Sequence, residues 1–181
     1  MAYEGREATP VLRIDALPYE DLRRHGEEAY PRECCGVLLA RGGGDGRRVT
    51  RTVRCANAAA GGAGARYEID PRDLLRVAKA AREGGEAIAG FYHSHPDHPA
   101  RASAADLEEA WWPGCSYVIT SVERGRAGET ASFRLRDGEG GRRLEPEPIE
   151  VGRTREGPAA KARAPDAVAA GLGAGARPAT P

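Results

Sequence analysis

The sequence predicts a mixed α/β (α+β) domain, a mixed β-sheet flanked by helices. Three observations carry this. Short β-rich runs alternate with helical patterns between residues 11 and 136, and several successive runs are close enough to pair as hairpins. The large apolar residues are confined: of 27 Leu, Ile, Val and Phe in 181 residues, only Val168 and Leu172 follow residue 151. The chain therefore divides into a domain over 1–151 and an Ala/Gly/Pro/Arg-rich tail over 152–181, expected to be disordered because it has too little apolar surface to offset its ordering entropy.

Val11-Leu12-Arg13-Ile14 reads as a first strand. Pro18 to Ala29 reads as a helix with Leu17, Leu22 and Ala29 on its apolar side and Pro31 beyond its end. Residues 35–40, small or apolar throughout, suit a buried strand; a glycine-rich turn follows, and the alternating residues 47–55 pair back as a hairpin. Asn57 to Arg66 is a soft Ala/Gly segment, a candidate flap, and Tyr67-Glu68-Ile69 extends from it. Asp70, Pro71 and Asp73 then supply a cap, a first-turn proline and an early acid for a helix whose core face is Leu74, Leu75, Val77, Ala78 and Ala81. Gly84-Gly85 ends it. Residues 87–92 form another buried strand that runs into His93, with Tyr92 expected beneath the site that follows. A helix over 103–111, strands over 116–122 and 131–136 with 125–128 as their loop, and an edge strand within 142–151 complete the domain.

Composition narrows the function classes. Twenty-seven basic residues balance 27 acidic ones, so no global field attracts nucleic acid or anionic lipid. No run approaches the roughly 20 apolar residues that span a bilayer, and the first 30 residues lack a signal-peptide core, which predicts a cytoplasmic protein. Cys34, Cys35, Cys55 and Cys115 form no C-x-x-C pair and read as buried strand thiols, with Cys34 and Cys35 on opposite faces. The two tryptophans, Trp111 and Trp112, are expected to cover an alanine-rich core.

The chemistry is concentrated after the strand over 87–92. His93 and His95 lie two residues apart, so in extended backbone both imidazoles face one side. Ser103 and Asp106, one helical turn apart, can face back toward them. Two His and one Asp give zinc three protein ligands and leave a fourth position open, the arrangement of a catalytic site. Ser-x-x-Asp is by itself a variant helix capping box. With 4 His, 5 Ser and 9 Asp in the chain, however, chance production of the whole H-x-H-x7-S-x2-D pattern is on the order of one in ten thousand.

These residues resemble the signature of the JAMM/MPN+ zinc metalloproteases, and Pro31-Arg32-Glu33-Cys34-Cys35-Gly36-Val37-Leu38-Leu39 is similar to that family's upstream segment. The similarity covers about residues 8–137 and is strongest to the small stand-alone prokaryotic members, including hydrolases that release cysteine from sulfur-carrier proteins. Ala102 stands where proline commonly precedes the serine, and Ala40 where glycine commonly ends the strand; neither change removes a reactive group. The resemblance implies a cytidine-deaminase-like JAMM/MPN architecture with one zinc per chain on His93, His95 and Asp106. It assigns acid–base catalysis to Glu33, which spacing alone could not choose among 18 glutamates, and oxyanion stabilisation to Ser103. It further implies cleavage of the amide or isopeptide bond after the C-terminal Gly-Gly of a ubiquitin-like or sulfur-carrier protein, with release of cysteine from the carrier as one form. The nine residues between Asp106 and Ser116 leave no space for the second insertion of polyubiquitin-specific members.

Two other readings fit parts of the pattern. His93-Ser94-His95-Pro96-Asp97-His98 also matches the H-x-H-x-D-H signature of metallo-β-lactamases, but that fold needs further histidines downstream and none follows His98. Asp97 and His98 then become loop residues beside the site. Non-catalytic MPN scaffolds typically lose ligands, and here the set is complete. Monomer and homodimer are both left open.

Overall fold

The computed structural model describes residues 10–42, 47–59, 67–138 and 140–152. The glycine-rich turn at 43–46, residues 60–66 of the candidate flap and the tail from 153 onward lie outside the described residues.

The described elements run β1 (Leu12–Asp15), α1 (Ala16–Ala29), β2 (Cys35–Arg41), β3 (Arg48–Cys55), α2 (Pro71–Glu83), β4 (Ala87–Pro96), α3 (Ala104–Glu109), β5 (Ser116–Glu123), β6 (Arg126–Arg136), β7 (Arg143–Glu147) and β8 (Ile149–Gly152). The strands form one sheet in the order β7-β6-β5-β4-β2-β3-β1-β8. β4 with β5, β1 with β3 and β1 with β8 are parallel, and the other neighbours antiparallel. This is the mixed sheet expected from the sequence.

Each face carries its own core. Leu12, Ile14, Leu22, Cys34, Leu38, Val49, Tyr92 and Val118 pack beneath α1. Cys35, Val37, Leu39, Phe91, Tyr117 and Leu135 pack on the other side with Val77 and Ala81 of α2 and Ala110 just after α3. Cys34 and Cys35 thus fall on opposite faces, as strand alternation requires, and the four cysteines are buried and free. In α1 the buried stripe is Pro18, Leu22 and Gly26, a clean i, i+4, i+8 row, whereas Leu17 is 62% exposed. α2 begins as expected, with Asp70 accepting from the Arg72 N–H at 2.7 Å and proline in the first turn. Its Val77 and Ala81 are buried, but Leu75 lies on the solvent side.

Three expectations change. The loop between β5 and β6 is only the Arg124-Gly125 turn, both with positive φ, and the strand resumes at Arg126. Helix α3 is shorter than 103–111. The single edge strand becomes two strands at opposite ends of the sheet, β7 on β6 and β8 on β1, separated by Pro148 alone. The sheet must therefore roll until its two ends adjoin, and the Leu12 N–H donates to the Pro148 carbonyl at 2.9 Å where they meet. Gly152, first residue of the expected tail, ends β8. Among the described residues no helix is long and apolar enough to cross a membrane.

Candidate metal centre

β4 carries a bulge that decides where its histidines point. Leu38 pairs with Gly90 but Leu39 with Ile88, leaving Ala89 as an extra residue. Ala89 itself faces the α1 core, while Ile88 before it and Phe91 after it face the α2/α3 side, and His93 and His95 follow Phe91 at period two. Gly90 is needed there, since a Cβ would run into the Ser116 main chain of β5.

The expected donors converge. One ligand atom from each of His93, His95 and Asp106 lies within 4.8 Å of the others. His93 Nε2 is 2.9 Å and His95 Nε2 3.6 Å from Asp106 Oδ1, and the two Nε2 atoms are 3.0 Å apart. His93 is buried and stacks on Tyr67, with ring centroids 4.3 Å apart. The other nitrogen of His95, Nδ1, donates to the Pro99 carbonyl at 3.0 Å, which leaves the Nε2 lone pair facing inward. Asp106 Oδ2 accepts from the Ser103 N–H and hydroxyl, each at 2.6 Å, while Ser103 Oγ accepts from the Asp106 N–H at 3.2 Å. Capping box and donor set are thus one structure: the cap occupies Oδ2 and turns Oδ1 toward the imidazoles.

Two of the three donors, His93 and Asp106, are shifted toward the form that binds a cation. Burial lowers His93 below the ordinary imidazole value, although Asp106 pulls the other way. Burial would raise Asp106, but its bonds to His93, His95 and Ser103 hold it well below the usual carboxylate range. Burial also works against charge on His95, yet Asp106 and the Pro99 carbonyl raise it overall. Three donors, two neutral-capable imidazoles and one anion on converging atoms, fit a tetrahedral ion with one open position.

Glu33 lines a cleft of about 310 Å³ together with His95, His98, Arg101, Ser103 and Asp106. Burial, reinforced by Asp106 and opposed by His95, pushes its carboxyl up to about 7. Its main chain is tethered on two sides. The neighbouring Cys34 N–H donates to Ser94 Oγ at 2.9 Å, and the Glu33 carbonyl accepts from Asn57 Nδ2 at 3.2 Å. A larger groove of about 530 Å³ is lined by Tyr67, Ile69, Leu74, Phe91, Trp111 and Trp112.

Residues 18–136 match the family of prokaryotic homologs of the JAB domain. The chain belongs to the prokaryotic JAB family. All five expected site residues fall inside the matched span. A desampylase of Haloferax volcanii is 43% identical over 93 residues, 51% of this chain and 65% of the relative's own length. A probable TtuB-protein conjugate cleaving protease of Thermus thermophilus is 34% identical over 65% of this chain and 74% of the relative. Among solved structures, a protein of Desulfitobacterium hafniense superimposes with a TM-score of 0.68 at 31% identity, covering 81% of this chain and 96% of that one. A protein of Salinibacter ruber gives 0.58 at 38% identity, covering 77% and 92%.

Within this JAB fold some expectations move. Tyr92 is not beneath the donors: as the neighbour of His93 in a strand it points to the opposite face, where its hydroxyl meets His25 Nδ1 at 2.9 Å. The aromatic against the donors is Tyr67. Trp111 does not cover the core but is 71% exposed, with the Arg142 guanidinium 4.8 Å from its ring centroid. Asp97 turns away from the site to bond Tyr30 and the Arg124 N–H, while His98 lines the cleft. Tyr67, Ser94 and Asn57 were not identified from sequence. Their one signal was the asparagine at the mouth of an Ala/Gly segment, a side chain able to imitate a turn.

Proposed function

We propose that this chain is a zinc-dependent hydrolase that cleaves the amide or isopeptide bond after the C-terminal Gly-Gly of a ubiquitin-like or sulfur-carrier protein. The observation that carries the reading is the convergence of His93, His95 and Asp106 within 4.8 Å beside a cleft that contains Glu33. The names of the relatives support it, one a desampylase and one a probable TtuB-protein conjugate cleaving protease.

His93, His95 and Asp106 would hold about one zinc per chain, which when bound supplies a Lewis acid at the scissile carbonyl and acidifies water. Glu33 takes the proton of the attacking water and returns it to the leaving nitrogen as the C–N bond breaks. Burial raises its carboxyl in the metal-free site and so offsets part of the lowering that a bound cation imposes. Ser103 orients Asp106 through its N–H and, exposed on the cleft wall, swings its hydroxyl proton from Asp106 Oδ2 to the developing oxyanion, a contribution of about 3 kcal/mol in comparable sites. Two glycines before the bond let an extended chain pass close to the donors without side-chain clashes.

Intact-mass measurement tests the reading on two substrates: a Gly-Gly carrier joined to a lysine side chain, and the same carrier extended by one cysteine. The zinc-loaded protein should remove the group after Gly-Gly from at least one, and the pair identifies which bond is preferred. Glu33→Gln should bind zinc yet cut about 10²- to 10⁴-fold more slowly. Unchanged masses for both substrates would overturn the assignment.

A further inference from the structure

Asn57 joins parts of the site that lie far apart in sequence. Its Nδ2 donates to the Glu33 carbonyl at 3.2 Å, and its Oδ1 accepts from the Ala59 and Glu68 N–H groups at 3.0 Å each. These partners allow only one amide orientation, because two N–H donors face Oδ1 and a carbonyl faces Nδ2. A bridge between Asn57 and Ile69 and a bond from the Ala58 N–H to the Glu68 carbonyl at 2.8 Å close the same neck. One residue before Glu68, Tyr67 stacks on His93. From the opposite edge of the same Glu33–Cys34 peptide, Ser94, which sits between the two histidines, holds the Cys34 main chain through both N–H and carbonyl. Glu33 itself precedes the β2 ladder, so these flanking bonds fix its backbone.

Building on the proposed hydrolase, we infer that Asn57 is a positioning residue that holds Glu33 in register with His93 and His95 by tying its main chain to the Ala58–Glu68 neck. The carboxamide meets the cleft through the Glu33 main chain. It acts through Glu33, and the same side chain makes the geometry of the base depend on the segment that carries Tyr67.

The two functions of the carboxamide can be separated in the full-length chain. Asn57→Asp keeps oxygen acceptors for Ala59 and Glu68 but replaces the donor to Glu33 with a second acceptor; Asn57→Ala removes both. In Asn57→Asp, amide exchange at Ala59 and Glu68 should stay as slow as in the wild type, while the nuclear Overhauser contact between Glu33 and His95 weakens in the metal-free protein. Cleavage of the Gly-Gly substrate should lose about 10- to 100-fold in kcat, with KM and zinc affinity within about twofold. Asn57→Ala should show the same kcat loss and faster exchange. An unchanged Glu33–His95 contact and kcat in Asn57→Asp would overturn the inference, as would a loss confined to Asn57→Asp, which would mark an effect of the added charge. Should the wild type cut no conjugate, the hydrolase reading falls, and the Glu33–His95 contact in the two variants still decides the tether.

Discussion

Glu33 combines partial burial with two opposed neighbours, Asp106 raising its carboxyl and His95 lowering it, for a value of about 7 without metal. A cation held by His93, His95 and Asp106 adds positive charge beside it and favours the carboxylate, so zinc should move this titration downward. Carbon-13 NMR of the Glu33 side chain, with Glu33→Gln as the assignment control, reads the shift; an unchanged or raised value on zinc addition would separate Glu33 from the metal site. Residue by residue, the sequence was informative where spacing maps directly onto geometry. Two histidines at period two in a strand, and Ser-x-x-Asp over one helical turn, need no long-range information to be placed. Glu33 was legible only through family resemblance, because its approach to the donors depends on β2 pairing with β4, 60 residues away in the Cys34–Ser94 bond. The misplacement of Tyr92 has the same origin: strand alternation forbids it the face that His93 occupies, and Tyr67 reaches that face from another segment.

Among the elements, the β4 bulge matters most to the site and was invisible beforehand, since an extra Ala89 looks like any small residue in a buried run. The packing of α1 on β4 and β5 is equally specific. A Cβ on Gly26 would stand 2.9 Å from Val122 Cγ2 and 3.2 Å from Ser94 Cβ, both on buried strand residues. Gly26→Ala gains about 1 kcal/mol of helix propensity. Overpacking of this kind costs roughly 1–3 kcal/mol, and because neither neighbour is a flexible chain end the clash should win. Urea unfolding should show a lower midpoint with an unchanged m-value; an equal or higher midpoint would mean that α1 slides without cost. Patterning located α2 well because Asp70, Pro71 and Asp73 are local signals. It placed Leu17 and Leu75 on core faces because apolar periodicity does not reveal which edge of a stripe the neighbouring layer leaves uncovered.

For the molecule as a whole, the mixed α/β class was readable from alternating patterns, but the strand order was not. Residues 142–151 read as one edge strand, whereas long-range pairing sends β7 and β8, parted by Pro148 alone, to opposite ends of a rolled sheet. We propose that the folding unit ends at Gly152. A chain ending there should melt within about 2 °C of the full length. One ending at Pro148 loses the β8 ladder on β1 and the packing of Ile149, and should melt about 4–8 °C lower for a loss near 2 kcal/mol. Equal melting of the two truncations would contradict closure of the sheet through β8. Binding of one ion by His93, His95 and Asp106 is read most directly by metal analysis after zinc loading and desalting. The wild type and Glu33→Gln should each hold about one zinc per chain, and His93→Ala, His95→Ala and Asp106→Ala near none. Wild-type protein without zinc, or zinc retained undiminished by all three ligand variants, would contradict that binding.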